Sequence, residues 1–399
     1  MATQKTKRHL RESERQRINK RNNIRNFEIE QVQEVIIHKG KIDPIILLSL
    51  VVLVTFGVIM VFSASYYVGK TKFDDILYFF KRQGAFAVIG FSLLPIITAI
   101  DWRMYRNFSK IIFIVSCFLL VLVIFLGEDL NGAKRWLKIG PIQFQPSEVA
   151  KIGLILYLSK YISDNKKILD NWGGFIKCCI IIAIPTALVL IENTSTAIIM
   201  GTIGMSIVFV ASPTLKYFGP IILIAILGIG AIILFGDGFR MARVEAWLNP
   251  FAEGVKADKG YQTVQSLYAI ASGGIFGLGI GQSRQKLGFI PEAQNDIIFS
   301  IICEELGLAG AIIFILLFSM IIWRGYITAI RSPKSYMSYV SVGITTMIAM
   351  QVIINIAVVT NTMPNTGIPL PFVSYGGTSL IIMMACTGII LNFSRYFKG

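Results

Sequence analysis

The chain has 399 residues, of which 54% are hydrophobic and only 15% are charged, and its mean hydropathy is +0.65. A soluble domain carries roughly a quarter of charged residues, so this composition excludes an ordinary soluble enzyme. In a soluble protein, a net charge of +15 would suggest that the protein binds nucleic acid. Much of the excess, however, lies in one short N-terminal segment, at Lys5, Lys7, Arg8, Arg11, Arg15, Arg17, Lys20, Arg21 and Arg25. We therefore expect a membrane protein with a basic tail and no nucleic-acid partner.

The tail, residues 1–42, is the only long polar stretch. Basic residues ahead of a first span are typical of a cytoplasmic end, and they attract anionic lipid; docking of a cytoplasmic partner is the alternative. No cleavable signal peptide is visible, because the first apolar run begins only near Ile45, so this run is expected to be an uncleaved anchor. Residues 43–399 are predicted to form one transmembrane domain.

Apolar runs of about 20 residues, the length that crosses a bilayer, recur along this domain. They predict helices near residues 43–65, 82–100, 109–127, 146–162, 174–191, 194–212, 217–236, 296–323, 338–360 and 374–393. Short basic loops then fall on the side of the tail, as the positive-inside rule requires. The expected fold class is an all-α polytopic membrane protein of about ten transmembrane helices, with N- and C-termini cytoplasmic and a large extracellular loop between helices 7 and 8.

Three segments on the opposite side are irregular: 127–145, the loop 236–295, and 361–373, which contains Pro364, Pro369 and Pro371. Irregular backbone near membrane depth survives only where protein buries it or water reaches it. These segments indicate a cavity that opens outward.

The types of residue available exclude several kinds of chemistry. Both histidines, His9 and His38, precede the first span, and the five cysteines lie in apolar runs without metal-ligand spacing. Histidine catalysis and a histidine-ligated metal site in the membrane domain are therefore excluded, and no metal-binding residues are predicted.

Asp296 is the foremost candidate for chemistry, because it lies where the long loop enters the eighth predicted helix. A carboxylate at this position is either a helix cap or a general base within reach of an acceptor hydroxyl. Glu304 and Glu305 lie about two turns deeper, and intramembrane carboxylates are rarely left unpaired. We expect these two to pair with a neighbouring helix.

A second group of candidates follows the third predicted helix, in Asn131-Gly-Ala-Lys-Arg-Trp-Leu-Lys and Gln143-Phe-Gln-Pro-Ser-Glu-Val-Ala-Lys151. Pro146 suits the first turn of a helix, and Glu148 could close a capping box. Glu148 and Lys151 are three residues apart and can pair on one helix face. Lys151 with Lys134 and Arg135 could clamp a diphosphate; the alternative is an interfacial salt bridge with snorkelling lysines.

A third segment, Pro364-Asn-Thr-Gly-Ile-Pro-Leu-Pro-Phe-Val-Ser-Tyr-Gly-Gly-Thr-Ser379, combines prolines with a glycine pair. Glycine allows the backbone to approach a ligand or another helix closely. The segment is either part of a binding site or a tightly packed turn. The glycine-rich stretch from Ser272 to Gly281 does not follow a strand of a βαβ unit, so a dinucleotide site is rejected.

Together these segments resemble the SEDS family of cell-wall synthases, which includes FtsW, RodA and SpoVE. The resemblance runs from about Asp43 to Tyr396 in one consistent order. It is carried by Asn131-Gly-Ala-Lys-Arg-Trp, Phe144-Gln-Pro-Ser-Glu-Val-Ala-Lys151, Gly260-Tyr-Gln, Gln265-Ser, Pro291-Glu-Ala-Gln-Asn-Asp296, Glu304-Glu-Leu-Gly307 and Gly367-Ile-Pro-Leu-Pro-Phe-Val-Ser-Tyr-Gly-Gly377. Gln294-Asn-Asp296 and the ending Asn392-Phe-Ser-Arg-Tyr396 look more like the division and sporulation branch.

The resemblance implies a peptidoglycan glycosyltransferase that polymerises lipid II at the outer face of the cytoplasmic membrane, at the division septum. It implies Asp296 as the catalytic residue and Lys151, Glu148 and Gln145 as residues of the substrate pocket. With Lys134 and Arg135 of the possible diphosphate clamp and Ser374 of the third segment, these three form the predicted set of substrate-binding residues. The implied partners are lipid II, a class B penicillin-binding transpeptidase and other divisome proteins. No cofactor is certain, and a divalent cation, Mg²⁺ or Mn²⁺, stays open. The alternatives are a lipid II flippase and a scaffold without catalytic activity.

Overall fold

The computed structural model describes residues 40–130, 133–139, 142–220, 245–252 and 260–397. Its principal elements are helices. In chain order they are α1 (Pro44–Phe73), α2 (Tyr78–Ala99), α3 (Trp102–Leu126), α4 (Pro146–Asp164), α5 (Trp172–Glu192), α6 (Thr194–Ala211), α7 (Tyr261–Gly273), α8 (Ile298–Arg331), α9 (Ser335–Val359) and α10 (Gly377–Ser394). Within the described ranges, eight of these helices, all except α4 and α7, are long and apolar enough to cross a membrane. The prediction of a mostly helical, multi-pass membrane protein is confirmed.

The number of about ten spans stays a prediction. Helix α4 has 19 residues but carries Glu148, Lys151 and Lys160, which make it more polar than the other spans. The helix predicted at 217–236 lies almost wholly outside the described residues, as do residues 1–39 of the basic tail and residues 236–244 and 253–259 of the loop 236–295.

Local capping explains where several helices begin. Pro44 occupies the start of α1, and the Asp43 side chain accepts hydrogen bonds from the backbone N–H groups of Ile45 at 2.9 Å and Ile46 at 3.3 Å. Helices α5 and α6 separate at Asn193, whose side chain accepts from the backbone N–H of Thr196 at 3.0 Å. Both arrangements satisfy amide donors that a helix start leaves unpaired. The predicted boundary between these two helices is confirmed.

A small sheet interrupts the helical bundle between α3 and α4. Strands β1 (Glu128–Leu130), β2 (Ala133–Ile139) and β3 (Ile142–Phe144) pair antiparallel in the order β1-β2-β3. Sequence analysis predicts only a polar loop here. Strands this short form through pairing with each other, and that pairing is a long-range property that hydropathy does not reveal.

One end of the bundle, which we call the tail end, is tied together by polar contacts at Asp43, Arg324 and Asn392. Arg324 of α8 donates from Nε to Oδ2 of Asp43 at 2.7 Å. Asn392 of α10 donates from Nδ2 to the backbone oxygens of Thr98 at 2.8 Å and Ile100 at 2.6 Å, where α2 ends. Helices α1, α2, α8 and α10 are thus joined at this end.

The opposite end, which we call the site end, holds the first residues of α4, α8 and α10. Helices α8 and α10 run from Ile298 and Gly377 towards the tail end. Helix α4 runs the same way, because Asp164 in its last turn pairs with Arg106 in the first turns of α3, which follow the end of α2. Helix N-termini carry a partial positive charge, so each of these three helix starts is a favourable neighbour for an anion at the site end.

Helix α8 is broken at Gly307, which has φ 66° and ψ −166°. The glycine-rich stretch after α7 packs against this break: Leu278 and Gly279 donate backbone hydrogen bonds to the carbonyl oxygens of Glu304 and Glu305, each at 2.9 Å. A Cβ on Gly277 would lie 2.2 Å from the oxygen of Glu305. The glycines therefore serve close packing of two backbones.

Candidate active site

Asp296 lies in the turn that leads into α8, two residues before the helix begins, and its side chain is partly exposed. It does not cap the helix: Ile297 occupies the cap position, and no side chain there accepts a capping hydrogen bond. A Cβ built on Gly367 would lie only 3.6 Å from Oδ2 of Asp296. The structure thus removes the cap interpretation and places the carboxylate against the proline-rich third segment.

The turn around Asp296 is held by backbone contacts with that segment. Asn355 of α9 donates from Nδ2 to the carbonyl oxygen of Asp296 at 2.6 Å and to that of Ile368 at 2.8 Å. The backbone N–H of Tyr375 donates to the carbonyl oxygen of Gln294 at 2.8 Å. Residues 294–296 and 367–375 therefore form one packed unit.

Burial raises the pKa of Asp296 to about 6. Loss of hydration is the largest cause; the neighbouring negative charge of Glu292 adds to it, and the backbone N–H of Asp296 itself opposes it. A carboxylate with a pKa near neutrality is still ionised at pH 7 and accepts a proton more readily than an ordinary aspartate. This property suits a general base.

Lys151 and Glu148 form a buried ion pair inside α4. Lys151 Nζ lies 2.7 Å from Glu148 Oε1, and the two side chains are only 1% and 6% exposed. This confirms their predicted pairing and makes the capping-box prediction wrong, because Glu148 turns towards Lys151 while Gln145, at the cap position, makes no side-chain capping bond. Glu148 Oε2 is buried without a hydrogen-bond partner among the described residues, so the pair keeps one acceptor for a further donor.

A small open pocket lies beside the start of α4. Arg135 of β2, Gln145, Ser147 and Asn193 contribute to its lining together with apolar side chains. Ser147 Oγ is buried, with no hydrogen-bond partner among the described residues. The predicted residues Arg135 and Gln145 are thus brought together next to the first turn of α4. The side chain of Lys134 lies outside the described part of the structure.

The third segment also connects the Asp296 turn with this pocket region. Thr378 Oγ1, in the first turn of α10, donates to the carbonyl oxygen of Gln143 in β3 at 3.4 Å. Ser374 Oγ accepts from the backbone N–H of Leu370 at 2.8 Å, and the carbonyl oxygen of Ser374 accepts from Gln83 of α2 at 3.2 Å. Ser374 therefore closes the turn that shapes the segment, and its contact with substrate stays a prediction.

Glu304 and Glu305 are fully buried and engaged. Ser63 of α1 donates from Oγ to Glu305 at 2.6 Å, which confirms the predicted pairing with a neighbouring helix for Glu305, whereas the side chain of Glu304 accepts from the loop. Ser283 of the outer loop donates from Oγ to Glu304 at 2.5 Å. Their pairing with loop residues was not predicted.

Sequence reasoning also missed Asn355 and Gln83, which position the third segment. Both are buried amides in apolar helices, with exposures of 1% and 0%. Polar side chains inside membrane helices are usually paired and functional, and that signal could have found them.

Comparison with known proteins places the chain in a family. The sequence profile of the FtsW/RodA/SpoVE family, described as "Cell cycle protein", matches residues 44–399. This chain belongs to that family. "Stage V sporulation protein E" of Bacillus subtilis is 40% identical over 360 residues, covering 89% of this chain and 98% of the relative. A "Probable peptidoglycan glycosyltransferase FtsW" of Geobacter metallireducens is 36% identical over 90% of this chain and 96% of the relative.

Solved structures of the family share the fold. A chain from a structure titled "Structural coordination of polymerization and crosslinking by a peptidoglycan synthase complex" superposes with a TM-score of 0.73 and 25% identity, over 89% of this chain and 98% of that chain. The rod shape determining protein RodA of Thermus thermophilus gives 0.66 and 24%, over 90% and 98%. The family resemblance seen in the motifs is confirmed.

Proposed function

We propose that this protein is a peptidoglycan glycosyltransferase that polymerises lipid II into glycan strands at the outer face of the cytoplasmic membrane. The observation that carries the proposal is Asp296: a partly exposed carboxylate with a raised pKa, which caps no helix and lies at the same end of the bundle as the starts of α4 and α10. Family membership supports it, because curated relatives are named peptidoglycan glycosyltransferases.

The reaction is an inverting glycosyl transfer. The 4-hydroxyl oxygen of an incoming N-acetylglucosamine forms a bond to the anomeric carbon of the lipid-linked sugar, and the bond from that carbon to the diphosphate breaks. Asp296 takes the hydroxyl proton as general base. The diphosphate leaves as an anion without needing a proton, so one carboxylate suffices.

The charge that develops on the leaving diphosphate needs stabilisation. Lys151 and Arg135 supply positive charge, and the first turn of α4 adds backbone N–H donors and a favourable dipole. Lys134, Gln145 and Glu148 complete the proposed binding set. A divalent cation would be compatible with this site, because such ions are commonly held by one or two carboxylates together with substrate phosphates. Among the described residues, no cluster of three or more His, Cys, Asp or Glu side chains could hold a metal ion by itself.

Two other functions would use a similar site. A lipid II flippase also needs an outward cavity, cationic groups and buried carboxylates. A scaffold would recruit a transpeptidase without chemistry of its own. The raised pKa of Asp296 favours the enzyme over a scaffold, which needs no proton acceptor. A proton-coupled flippase could also use such a carboxylate, so the enzyme and the flippase are separated by whether the protein polymerises lipid II.

The partners and location are further parts of the proposal. The neighbouring structure that concerns coordinated polymerisation and crosslinking supports a class B penicillin-binding transpeptidase as partner. The relatives named FtsW and stage V sporulation protein E support work in division or sporulation, at a septum, with other divisome proteins.

The test is polymerisation of lipid II by the purified protein with its transpeptidase partner, with transpeptidation blocked. We expect glycan ladders from the wild type and a loss of at least about a hundredfold in Asp296→Asn. Asp75→Asn is the matched control, because Asp75 is an exposed carboxylate that pairs with Lys81; it should polymerise normally. Ladders from Asp296→Asn would exclude the proposed base, and none from the wild type would favour a flippase or scaffold.

A further inference from the structure

A buried polar cluster that the proposed mechanism does not use joins α1, α8 and the outer loop. Lys286 Nζ lies 2.8 Å from Glu305 Oε1 and 2.9 Å from Ser63 Oγ, and the Ser63 hydroxyl in turn donates to Glu305 at 2.6 Å. The Lys286 and Glu305 side chains are only 4% and 0% exposed. We call these three residues the Lys286 cluster.

The neighbouring loop residues are fixed to the same helix. Ser283 Oγ donates to Glu304 Oε2 at 2.5 Å, and the backbone N–H of Arg284 donates to Glu304 Oε1 at 2.9 Å. The backbone N–H of Lys286 reaches Ser283 Oγ at 3.3 Å. Two adjacent carboxylates of α8 therefore hold the stretch 283–286 through several bonds.

This stretch leads directly to the proposed base. Lys286 lies only ten positions before Asp296, and within that interval Ile290 and Ala293 are each 1% exposed. The far end of the interval is held at Gln294 by Tyr375 and at Asp296 by Asn355. The loop that carries Asp296 is thus anchored on both sides, and the Lys286 cluster is the charged anchor.

We propose that Lys286, paired with Glu305 and Ser63, is a positioning residue that fixes the Asp296 loop for glycosyl transfer; this rests on the proposed function. Burying a lysine and a glutamate costs hydration, and apolar residues of similar size often stabilise a fold as well or better. What the ion pair adds to the Glu304 contacts is a fixed geometry that also includes α1, through Ser63. A base displaced by about 1 Å can lose roughly a hundredfold in rate.

The test compares Lys286→Met, Glu305→Gln and the double variant with a matched pair at the tail end. Arg324 and Asp43 also form an ion pair between α8 and the start of α1, in which Asp43 is buried and Arg324 is partly exposed, but at the far end of the bundle from Asp296. Arg324→Met therefore weakens the contact between the same two helices without touching the loop.

Each variant is measured for thermal stability in detergent and for kcat and KM in lipid II polymerisation. We expect Lys286→Met to lower kcat by roughly tenfold to a hundredfold with KM changed less than about twofold, because the substrate-binding residues lie elsewhere. Arg324→Met should lose stability with kcat nearly unchanged. The double variant should regain stability, since it leaves no unpaired charge, without regaining kcat. Equal losses of kcat in Lys286→Met and Arg324→Met at equal loss of stability, or full recovery of kcat in the double variant, would overturn the proposal.

A distance measurement separates this proposal from the proposed function. Spin labels at Phe289→Cys on the loop and Thr360→Cys at the end of α9, both exposed positions, report the loop position in a background without native cysteines. We expect a broader distance distribution in Lys286→Met and an unchanged one in Arg324→Met. If the wild type makes no glycan, the proposed function fails while this measurement still stands; an unchanged distribution in Lys286→Met refutes the positioning role itself.

Discussion

Asp296 is ionisable, partly exposed and surrounded by atoms that replace much of its water. Asn355 and Tyr375 donate to the carbonyl oxygens of Asp296 and Gln294 and not to the carboxylate, and the hydrogen bond from the backbone N–H of Asp296 only partly offsets the loss of water. Desolvation therefore dominates and raises its pKa. The same environment that makes the residue a better proton acceptor also makes its charged form unfavourable for folding.

This environment predicts a defined pH dependence. Asp296 must be ionised to accept the hydroxyl proton, and its pKa is about 6, so the polymerisation rate should rise with pH and reach half its plateau near pH 6. Initial rates measured between about pH 5 and pH 8 test this. A rate that is flat across this range, or an acid limb centred near the ordinary aspartate value of about 4, would contradict the assignment.

The stability of the fold should change in the opposite direction. The folded-state pKa lies above the ordinary value of 3.8, so the Asp296 contribution to stability is present at acid pH and is lost as pH rises through about 6. Asp296→Asn should therefore melt at a higher temperature than the wild type at pH 7 and at the same temperature near pH 4. Identical melting at both pH values would show that the carboxylate is better solvated than the structure indicates.

Gly307 is a second residue whose identity the backbone dictates. Its φ of 66° disfavours a side chain, and a Cβ would lie 2.4 Å from the backbone nitrogen of Gly277. Gly307→Ala should cost about 2 kcal/mol or more, measured as a lower melting temperature. Gly201→Ala in α6 is the control, because no atom lies within 4 Å of its added Cβ. Equal melting of the two variants would argue against the close approach of these segments.

At the scale of single elements, α4 carries its charges inside the bundle. Removing one partner of the buried Lys151–Glu148 pair leaves an unpaired charge and should cost about 3–5 kcal/mol, whereas the double variant Lys151→Met/Glu148→Gln should cost less. Activity should not follow stability, because Lys151 is proposed to stabilise the leaving diphosphate. Lys151→Met alone and the double variant should both lose polymerisation. A double variant that recovers both stability and activity would show that the pair is only structural.

Hydropathy predicted the spanning elements well, for a physical reason. A membrane requires long apolar segments, so helices such as α1 and α9 are visible as runs of apolar residues. The sheet β1-β2-β3 and helix α7 were not predicted, since they are short elements that depend on pairing or packing against distant parts of the chain.

The site residues likewise divide into those that the sequence reveals locally and those that depend on contacts between distant parts of the chain. Asp296 and Lys151 stand out as charged residues next to apolar runs, so sequence alone could single them out. Lys286 looks like an ordinary loop lysine, because its partner Glu305 lies 19 residues further along the chain and Ser63 lies on α1. Only the folded arrangement shows that these residues meet.

At the scale of the whole molecule, the start of α1 and the last residues of α10 lie at the same end. Gly40 donates a backbone hydrogen bond to the carbonyl oxygen of Arg395 at 2.7 Å. The positive-inside rule assigns this end to the cytoplasm. A fluorescent protein fused after Gly399 should therefore be bright, and alkaline phosphatase fused there inactive. The reverse result would place Asp296 on the cytoplasmic side and remove it from the proposed reaction.

The polar contacts at the tail end have a consequence for motion. Asp43–Arg324 and the Asn392 contacts with the end of α2 hold four helices at one end of the bundle, whereas the site end is built from turns, short strands and an interrupted helix. We therefore expect that a rearrangement which admits a bulky lipid-linked sugar, or releases a lengthening polymer, moves the helices at the site end while their other ends stay in place at the tail end. Displacements should be smallest at the tail end and increase towards the site end. The growing strand would then leave without disrupting the helix packing on the cytoplasmic side.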